Sequence, residues 1–449
     1  MFVINCGGVV VNQTNYWNPN DAPFWESKGK RIANRNLWIS ICNLLTAFSV
    51  WQIWSILSLQ LIDAGFNYST DQVYMLTAIP ALTGAMVRFF YSIGVTYLGG
   101  KTWTFLSSII LLVPVLGVGW ALTNTNTPYS IMVILAALCG LGGGNFASSM
   151  ASIGTFFPRE RQGAALGING GLGNLGVSLA QFIIPIVITI PIFGVLGGAP
   201  QTIDTGNGTM SVWLQNGAFI WAIPIVVFSL LALFGMDNLP LEKPKLSSQL
   251  KVFQRKHMYL MTILYIMSFG SFIGYSAAFP LLLKGEFPHI STIQLVFLGP
   301  LLGAIGRPVG GYLADKFGGA KVSLLDVCIM VIGILGIIFF VQEGTKSFLG
   351  FFLSFLLLFA SGGIANGSIF TMFPIIFGPM ESPAAIGLAS AIGAFGGFFI
   401  PSIFGWSIEA TGNVSLALSI FVVYYVLCAV VIWYYYSRKN AEIQVDLKK

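Results

Sequence analysis

The sequence predicts an all-α membrane protein: twelve transmembrane helices arranged as two six-helix pseudo-repeats, with both termini cytoplasmic. Three observations predict it. Of 449 residues, 55% are apolar and 8% charged, whereas soluble domains carry about 25% charged residues. Twelve apolar runs reach the length of about 20 residues needed to cross hydrocarbon. The second half of the chain repeats residues of the first at a nearly constant offset.

The runs fall at 37–61, 72–98, 103–123, 129–156, 163–190 and 213–235 in the first half, and at 258–283, 292–317, 322–341, 347–377, 384–408 and 414–437 in the second. Short cytoplasmic loops are enriched in Lys and Arg. With the N-terminus inside, 18 of the 22 Lys and Arg lie on inside segments, only Lys284 and Lys346 fall outside, and Arg88 and Arg307 lie within helices. The domain plan is therefore a cytoplasmic tail 1–36, a six-helix bundle 37–235, a polar linker 236–257, a second bundle 258–437 and a short tail 438–449.

The repeat is read residue by residue. Ala164-Ala165-Leu166-Gly167-Ile168 falls on Ala384-Ala385-Ile386-Gly387-Leu388, and Gly173 and Gly176 fall on Gly393 and Gly396. Gly84-Ala85-Met86-Val87-Arg88 falls on Gly303-Ala304-Ile305-Gly306-Arg307. A parallel six-helix repeat is the plan of the major facilitator superfamily, whose substrate site lies between the halves near the midplane. The stretch Gly311 to Gly319, with Asp315 and Lys316, resembles that superfamily's loop signature after helix 8, in which an acid and a base latch helix ends together. The first half has Thr96 where the acid would stand, so one latch is expected.

Other classes drop out. The 22 Lys and Arg form no basic stripe for nucleic acid. Cys6, Cys42, Cys139, Cys328 and Cys428 have neither disulfide nor zinc spacing. The first 36 residues, rich in Asn, Trp, Pro and charge, do not read as a cleavable signal. No nucleophile, base or metal constellation is visible, so no enzyme and no cofactor are expected.

The two intramembrane arginines carry the functional argument. Each lies 11 residues before the glycine that closes its helix, roughly 16 Å at 1.5 Å per residue, about half the hydrocarbon thickness. A charge there costs from about 2.5 to above 10 kcal/mol and is a functional residue by default. None of the 16 Asp and Glu falls near mid-membrane: Asp326 lies about a turn beyond Lys321, and Glu409 closes helix 11. The bland alternative is that each guanidinium bonds to carbonyls freed by neighbouring Gly and Pro, such as Pro308. The sharper reading is that a small anion supplies the missing charge, because a guanidinium presents its donors as a planar fork and keeps its proton. Tyr265 offers a hydroxyl, Asn174 an amide, and Phe48, Phe146 and Phe269 could wall a flat ligand; Ser390 on helix 11 completes the expected substrate set.

The 52 glycines concentrate in Gly140 to Met150 on helix 4 and Gly167 to Gly176 on helix 5, with paler copies at 362–368 and 387–397. Gly143, Gly144, Gly167, Gly171, Gly173, Gly387, Gly393 and Gly396, together with Asp315, are the expected conformational residues, because small residues let helices approach and slide. The runs Gly140 to Met150 and Gly167 to Gly176 lack the Lys and Ser/Thr of a phosphate loop. They resemble instead the double signature of the nitrate/nitrite porter family, and Arg31 to Ser40 resembles the start of that family's first helix. The likeness runs from about Trp17 to Trp406. It implies transport of nitrate and nitrite, with substrate between Arg88 and Arg307, Tyr265 donating a hydrogen bond, and Asn174 and the aromatics around it. One departure is the loop from Gly378 to Pro383, short beside the polar insertion of better-known members, which bears on regulation rather than substrate.

The expected mechanism is alternating access in a multi-pass protein of the bacterial inner membrane, working as a monomer in the lipid bilayer. Two cations approaching across a low-dielectric cavity repel by about 2–3 kcal/mol at roughly 6–8 Å, and a bound anion reverses that sign. Exchange of nitrate for nitrite follows. Proton symport is the second mechanism, since His257 and His289 sit near helix ends and no mid-membrane acid is evident. A sensor that binds an anion without moving it is the rival from another class.

Overall fold

A computed structural model describes residues 17–204, 208–239, 251–288 and 294–446. Eleven of its helices are long and apolar enough to cross a membrane. Labelled in chain order, they are α1 (Ala22–Leu61), α2 (Thr70–Leu98), α3 (Gly100–Leu122), α4 (Tyr129–Gly154), α5 (Glu160–Val187), α6 (Asn216–Gly235), α7 (Lys256–Glu286), α9 (Gly319–Val341), α10 (Phe348–Gly378), α11 (Ala384–Thr411) and α12 (Ser415–Ser437). A further helix, α8 (Leu298–Phe317), occupies the eighth expected position. Arg307, Pro308, Asp315 and Lys316 make it less apolar than its neighbours. It begins six residues later than the sequence suggests, and His289 lies outside the described residues.

Local chemistry sets the ends. Ser69 starts α2 by a reciprocal capping box with Gln72, and the Ser347 side chain accepts from the Gly350 N–H at the start of α10. Gly99 and Gly318, equivalent in the repeat, take φ +81° and +100° to turn α2 into α3 and α8 into α9. Each following helix start is satisfied from the end of its own half. Asn238 Oδ1 accepts from the Lys101 N–H at 2.9 Å, and Asp446 Oδ1 from the Ala320 N–H at 3.0 Å.

Three expectations need correction. The first helix starts at Ala22 rather than 37. Its charged turns are amphipathic, burying Trp25, Ala33 and Leu37 against a cluster that includes Phe156, Phe157 and Leu239. Between α5 and α6, where only a connection was expected, Gln201–Asp204 (β1) pairs antiparallel with Thr209–Val212 (β2), Gln201 opposite Val212. The presumed loop after α10 is almost absent: at Gly378 the chain takes φ +70° and then resumes as a helix.

The two halves meet unevenly. Away from the chain ends, Lys284 of α7 reaches the Leu59 carbonyl and Asp63 (2.5 Å) beyond α1. Ser178 of α5 donates to the Phe297 carbonyl at 3.0 Å, and Gln181 to that of Ser276 at 2.7 Å. On the face of the chain ends, the ion pairs among the described residues stay within one half: Arg35 with Asp237, Arg255 with Glu381, Lys256 with Glu442. Among the described residues, side-chain bonds thus tie the halves on the face away from the chain ends, while the ion pairs on the other face do not cross between them.

Candidate functional site

Arg88 on α2 is fully buried and Arg307 on α8 is 5% exposed. Phe146 of α4 lies against both: its ring centroid is 5.0 Å from the Arg88 Cζ and 5.6 Å from the Arg307 Cζ. The repeat therefore does bring the two cations to one place. Phe269 lies 4.9 Å from the Arg88 Cζ. Phe48, Phe146, Phe269 and Tyr265 form a run of neighbouring rings with centroids 6.2, 5.9 and 5.6 Å apart. Packed hydrocarbon on this scale keeps water out, which strengthens every polar contact inside.

The donors are incompletely used. Arg88 Nε donates to the Gly143 carbonyl at 3.0 Å and Nη1 to the Ser390 carbonyl at 2.6 Å, but the buried Nη2 has no partner. Arg307 Nη1, Tyr265 Oη and Asn174 Oδ1 are likewise buried without a partner. Among the described residues neither arginine is paired with a carboxylate. The carbonyl-bonding alternative is half realised at Arg88, and among the described residues Arg307 makes no such bond. Buried donors left open on two like charges are expensive, and a small oxyanion has the complementary charge and acceptors.

The expected residues divide by how they take part. Arg88, Arg307, Tyr265, Phe48, Phe146 and Phe269 are brought together by direct contact. Asn174 sits one turn beyond Gly170, where an added Cβ would stand 3.4 Å from Arg307 Nη1. Ser390 enters through its carbonyl, while its hydroxyl donates to Gly387. The glycines split too. A Cβ on Gly143 would strike the Trp51 ring at 2.7 Å, on Gly144 the Tyr91 ring at 2.8 Å, on Gly173 Leu44 at 2.5 Å, on Gly393 the Tyr265 ring at 2.6 Å, and on Gly396 Gly270 at 2.6 Å. At Gly167, Gly171 and Gly387 it would meet nothing within 4 Å, so these three border open space rather than a helix contact. Asp315 is exposed, with no ion pair among the described residues; the acid that holds the start of α9 is Asp446.

Sequence reasoning missed Trp51 and Phe370. Trp51 stands 5.5 Å from the Arg88 Cζ and donates to the Pro80 carbonyl at 2.8 Å; Phe370 stands 5.3 Å from the Arg307 Cζ. No spacing distinguishes these rings from the other aromatics. Asn366, buried with both amide atoms unpartnered, did leave a signal: it is an amide within the paler glycine-rich stretch 362–368.

Comparison with known proteins places the class first. The description Major Facilitator Superfamily matches residues 39–377 and 261–449. The fold is similar to that of the E. coli xylose transporter XylE in an inward open conformation (TM-score 0.66, 14% identity, 89% of this chain and 95% of that one). It is equally similar to a partially occluded inward open form (0.67, 15%, 90% and 99%). Sequence narrows the class. The chain is 43% identical to the nitrate/nitrite transporter NarU of Escherichia coli over 94% of its own length and 96% of the relative's. It is 37% identical to the probable nitrate/nitrite antiporter NarK2 of Thermus thermophilus, over 95% and 97%. The chain belongs to the nitrate/nitrite porter family of the major facilitator superfamily, and is a multi-pass membrane protein.

Proposed function

We propose that this chain is a secondary transporter that exchanges nitrate for nitrite across the bacterial inner membrane by alternating access. One observation carries the reading: two buried guanidiniums share the Phe146 ring, each keeps an unpartnered terminal nitrogen, and neither has a carboxylate partner among the described residues. A planar oxyanion between them would accept from Arg88 Nη2, Arg307 Nη1 and Tyr265 Oη while lying against aromatic faces. Charge-assisted hydrogen bonds in such a dry site are roughly twice as strong as neutral ones. Trp51, Asn174 and Phe370 complete the surround.

The reading includes twelve crossings, α1 to α12, with both termini cytoplasmic, in two bundles, 37–235 and 258–437, joined by the segment 236–257. The placing of 18 of 22 basic residues supports that orientation. The face tied by Lys284, Gln181 and Ser178 is then the outer gate, closed, and the carrier works as a monomer. Exchange follows from charge. With no anion, rocking would bring two unscreened cations together, so the empty carrier switches slowly. Proteoliposomes loaded with nitrite should take up labelled nitrate at least about tenfold faster than empty ones, given a barrier difference near 2 kcal/mol. Equal uptake into both would overturn obligatory exchange.

A further inference from the structure

A second polar site lies inside the first bundle, away from the arginines. A cavity of about 10 Å³, with room for one water molecule, sits between α1, α3 and α4, and eight of the nine residues around it are polar, Leu44 being the exception. Ser108 lies in the first half of α3 (Gly100–Leu122) and Ser149 in the last turns of α4 (Tyr129–Gly154), which places the cavity towards the face of the chain ends.

Most of the polar groups in the lining are already bonded. Ser40 Oγ donates to Asn169 Oδ1 at 3.0 Å, and Ser107, Ser148 and Ser149 donate to the carbonyls of Thr104, Asn145 and Phe146 at 3.4, 3.2 and 3.0 Å. The nitrogens of both lining amides are committed as well. Asn43 Nδ2 donates to the Ile39 and Phe228 carbonyls at 2.9 and 3.0 Å, and Asn145 Nδ2 to the Ser107 carbonyl at 3.4 Å. Three buried atoms of the lining have no partner: Asn43 Oδ1, Asn145 Oδ1 and Ser108 Oγ. Their side chains are 3%, 5% and 4% exposed, and each belongs to a different helix.

A hydroxyl rotates to suit its neighbours and would bond to an amide oxygen standing within reach. Ser108 bonds to neither, so the three atoms border a gap wider than one hydrogen bond. Two amide oxygens and a hydroxyl left dry in a bundle core are each costly. Together they call for one molecule: the two oxygens need two O–H donors, and the Ser108 hydroxyl needs an acceptor. Water supplies both, and a buried water typically makes about three hydrogen bonds. Ions fit worse. None of the lining residues is charged, so a cation would sit unneutralised inside the membrane, and an anion would meet two carbonyl oxygens.

We propose that this cavity is the binding site of a single fixed water molecule, which donates to Asn43 Oδ1 and Asn145 Oδ1, accepts from Ser108 Oγ, and pins the chain-end side of the first bundle into one block. The network around it extends beyond the three lining helices. Asn43 holds α6 through the Phe228 carbonyl, and Asn169 of α5 links Ser40 to Ser149 by bonds of 3.0 and 3.1 Å. Five of the six helices of the first bundle, all but α2, are thus joined about the water. A lobe that rocks as a unit must keep its helices in register, and a buried water with matched bonds is costly to remove. The bridge does not depend on which cargo the carrier moves.

Two measurements on the full chain test it. A crystallographic map at a resolution that shows ordered water should carry a peak within hydrogen-bonding distance of Asn43 Oδ1, Asn145 Oδ1 and Ser108 Oγ together. Thermal unfolding supplies the sign. Ser108→Ala deletes one hydroxyl and overpacks nothing. With the water present, the variant loses a matched bond and should melt about 1–3 °C below the wild type. With a dry cavity it would lose only a buried hydroxyl that had no partner, and would melt at the same temperature or higher. A map without the peak, or a Ser108→Ala variant as stable as the wild type, overturns the proposal. So does a melting temperature that sodium chloride, but not choline chloride, raises in the wild type and not in Ser108→Ala, because that would put a cation in the cavity. Neither measurement needs transport, so the water bridge stands or falls separately from nitrate/nitrite exchange.

Discussion

At the scale of the residue, the site depends on geometry beyond charge. Lysine at position 88 or 307 keeps the charge but loses the planar fork, so at least one charge-assisted bond to the anion disappears. Exchange in vesicles should fall roughly 10- to 100-fold, the equivalent of about 1.5–3 kcal/mol, with normal amounts of protein in the membrane. Wild-type flux in both variants would remove the arginines from the site. Tyr265→Phe deletes a single donor and should raise the half-saturating nitrate concentration about tenfold with little change in maximal rate. The arginines were legible because charge in hydrocarbon is conspicuous and recurs in the repeat. The rings were half legible: Phe48, Phe146 and Phe269 were expected, but Trp51 and Phe370 were indistinguishable from packing among 37 Phe and 11 Trp.

At the scale of the element, close helix approach and open space are separable by substitution. Gly393→Ala places a methyl 2.6 Å from the Tyr265 ring, overpacking that costs about 1–3 kcal/mol and displaces the hydroxyl; exchange should be largely lost. Gly387→Ala meets nothing within 4 Å and should exchange within about twofold of wild type, since small substitutions away from packed contacts cost little. Equal behaviour of the two would sink the distinction. The helix pattern in the sequence could not make it, because glycine content reports small residues without saying what faces them. The same holds at the chain end. Glu442 is held below the usual carboxylate range first by its bond to Lys256 and also by His257. A depressed carboxylate stabilises docking above its ordinary value and loses that contribution as pH falls through the depressed one. Segment 438–446 should therefore loosen on acidification below the ordinary glutamate range, seen as faster amide exchange at Ile443, whose N–H donates to the Tyr435 carbonyl. Unchanged protection at low pH would show that the ion pair does not hold the tail.

At the scale of the molecule, the tie between the halves sets which way the carrier rests. Lys284 and Asp63 are 40% and 38% exposed, and a pair that open is worth about 0.2–1 kcal/mol. Lys284→Met should raise the outward-open population by no more than about fivefold, read as hydrogen–deuterium exchange of the α5 amides around Gln181; a larger rise would assign the gate to the ion pair rather than to the buried Gln181 and Ser178 bonds. The two-half plan was legible because duplication leaves matched residues on the page. Its asymmetries were not, since a difference between copies reads as drift until side chains are placed. Phe146 is such a difference. On the first half it lies against both cations, whereas the second half gives each cation a ring of its own, Phe269 to Arg88 and Phe370 to Arg307. When the lobes part, the first lobe keeps the one ring common to both cations, so the cargo should travel with α4, leaving Arg307 to arrive and depart like a lid over a seated passenger.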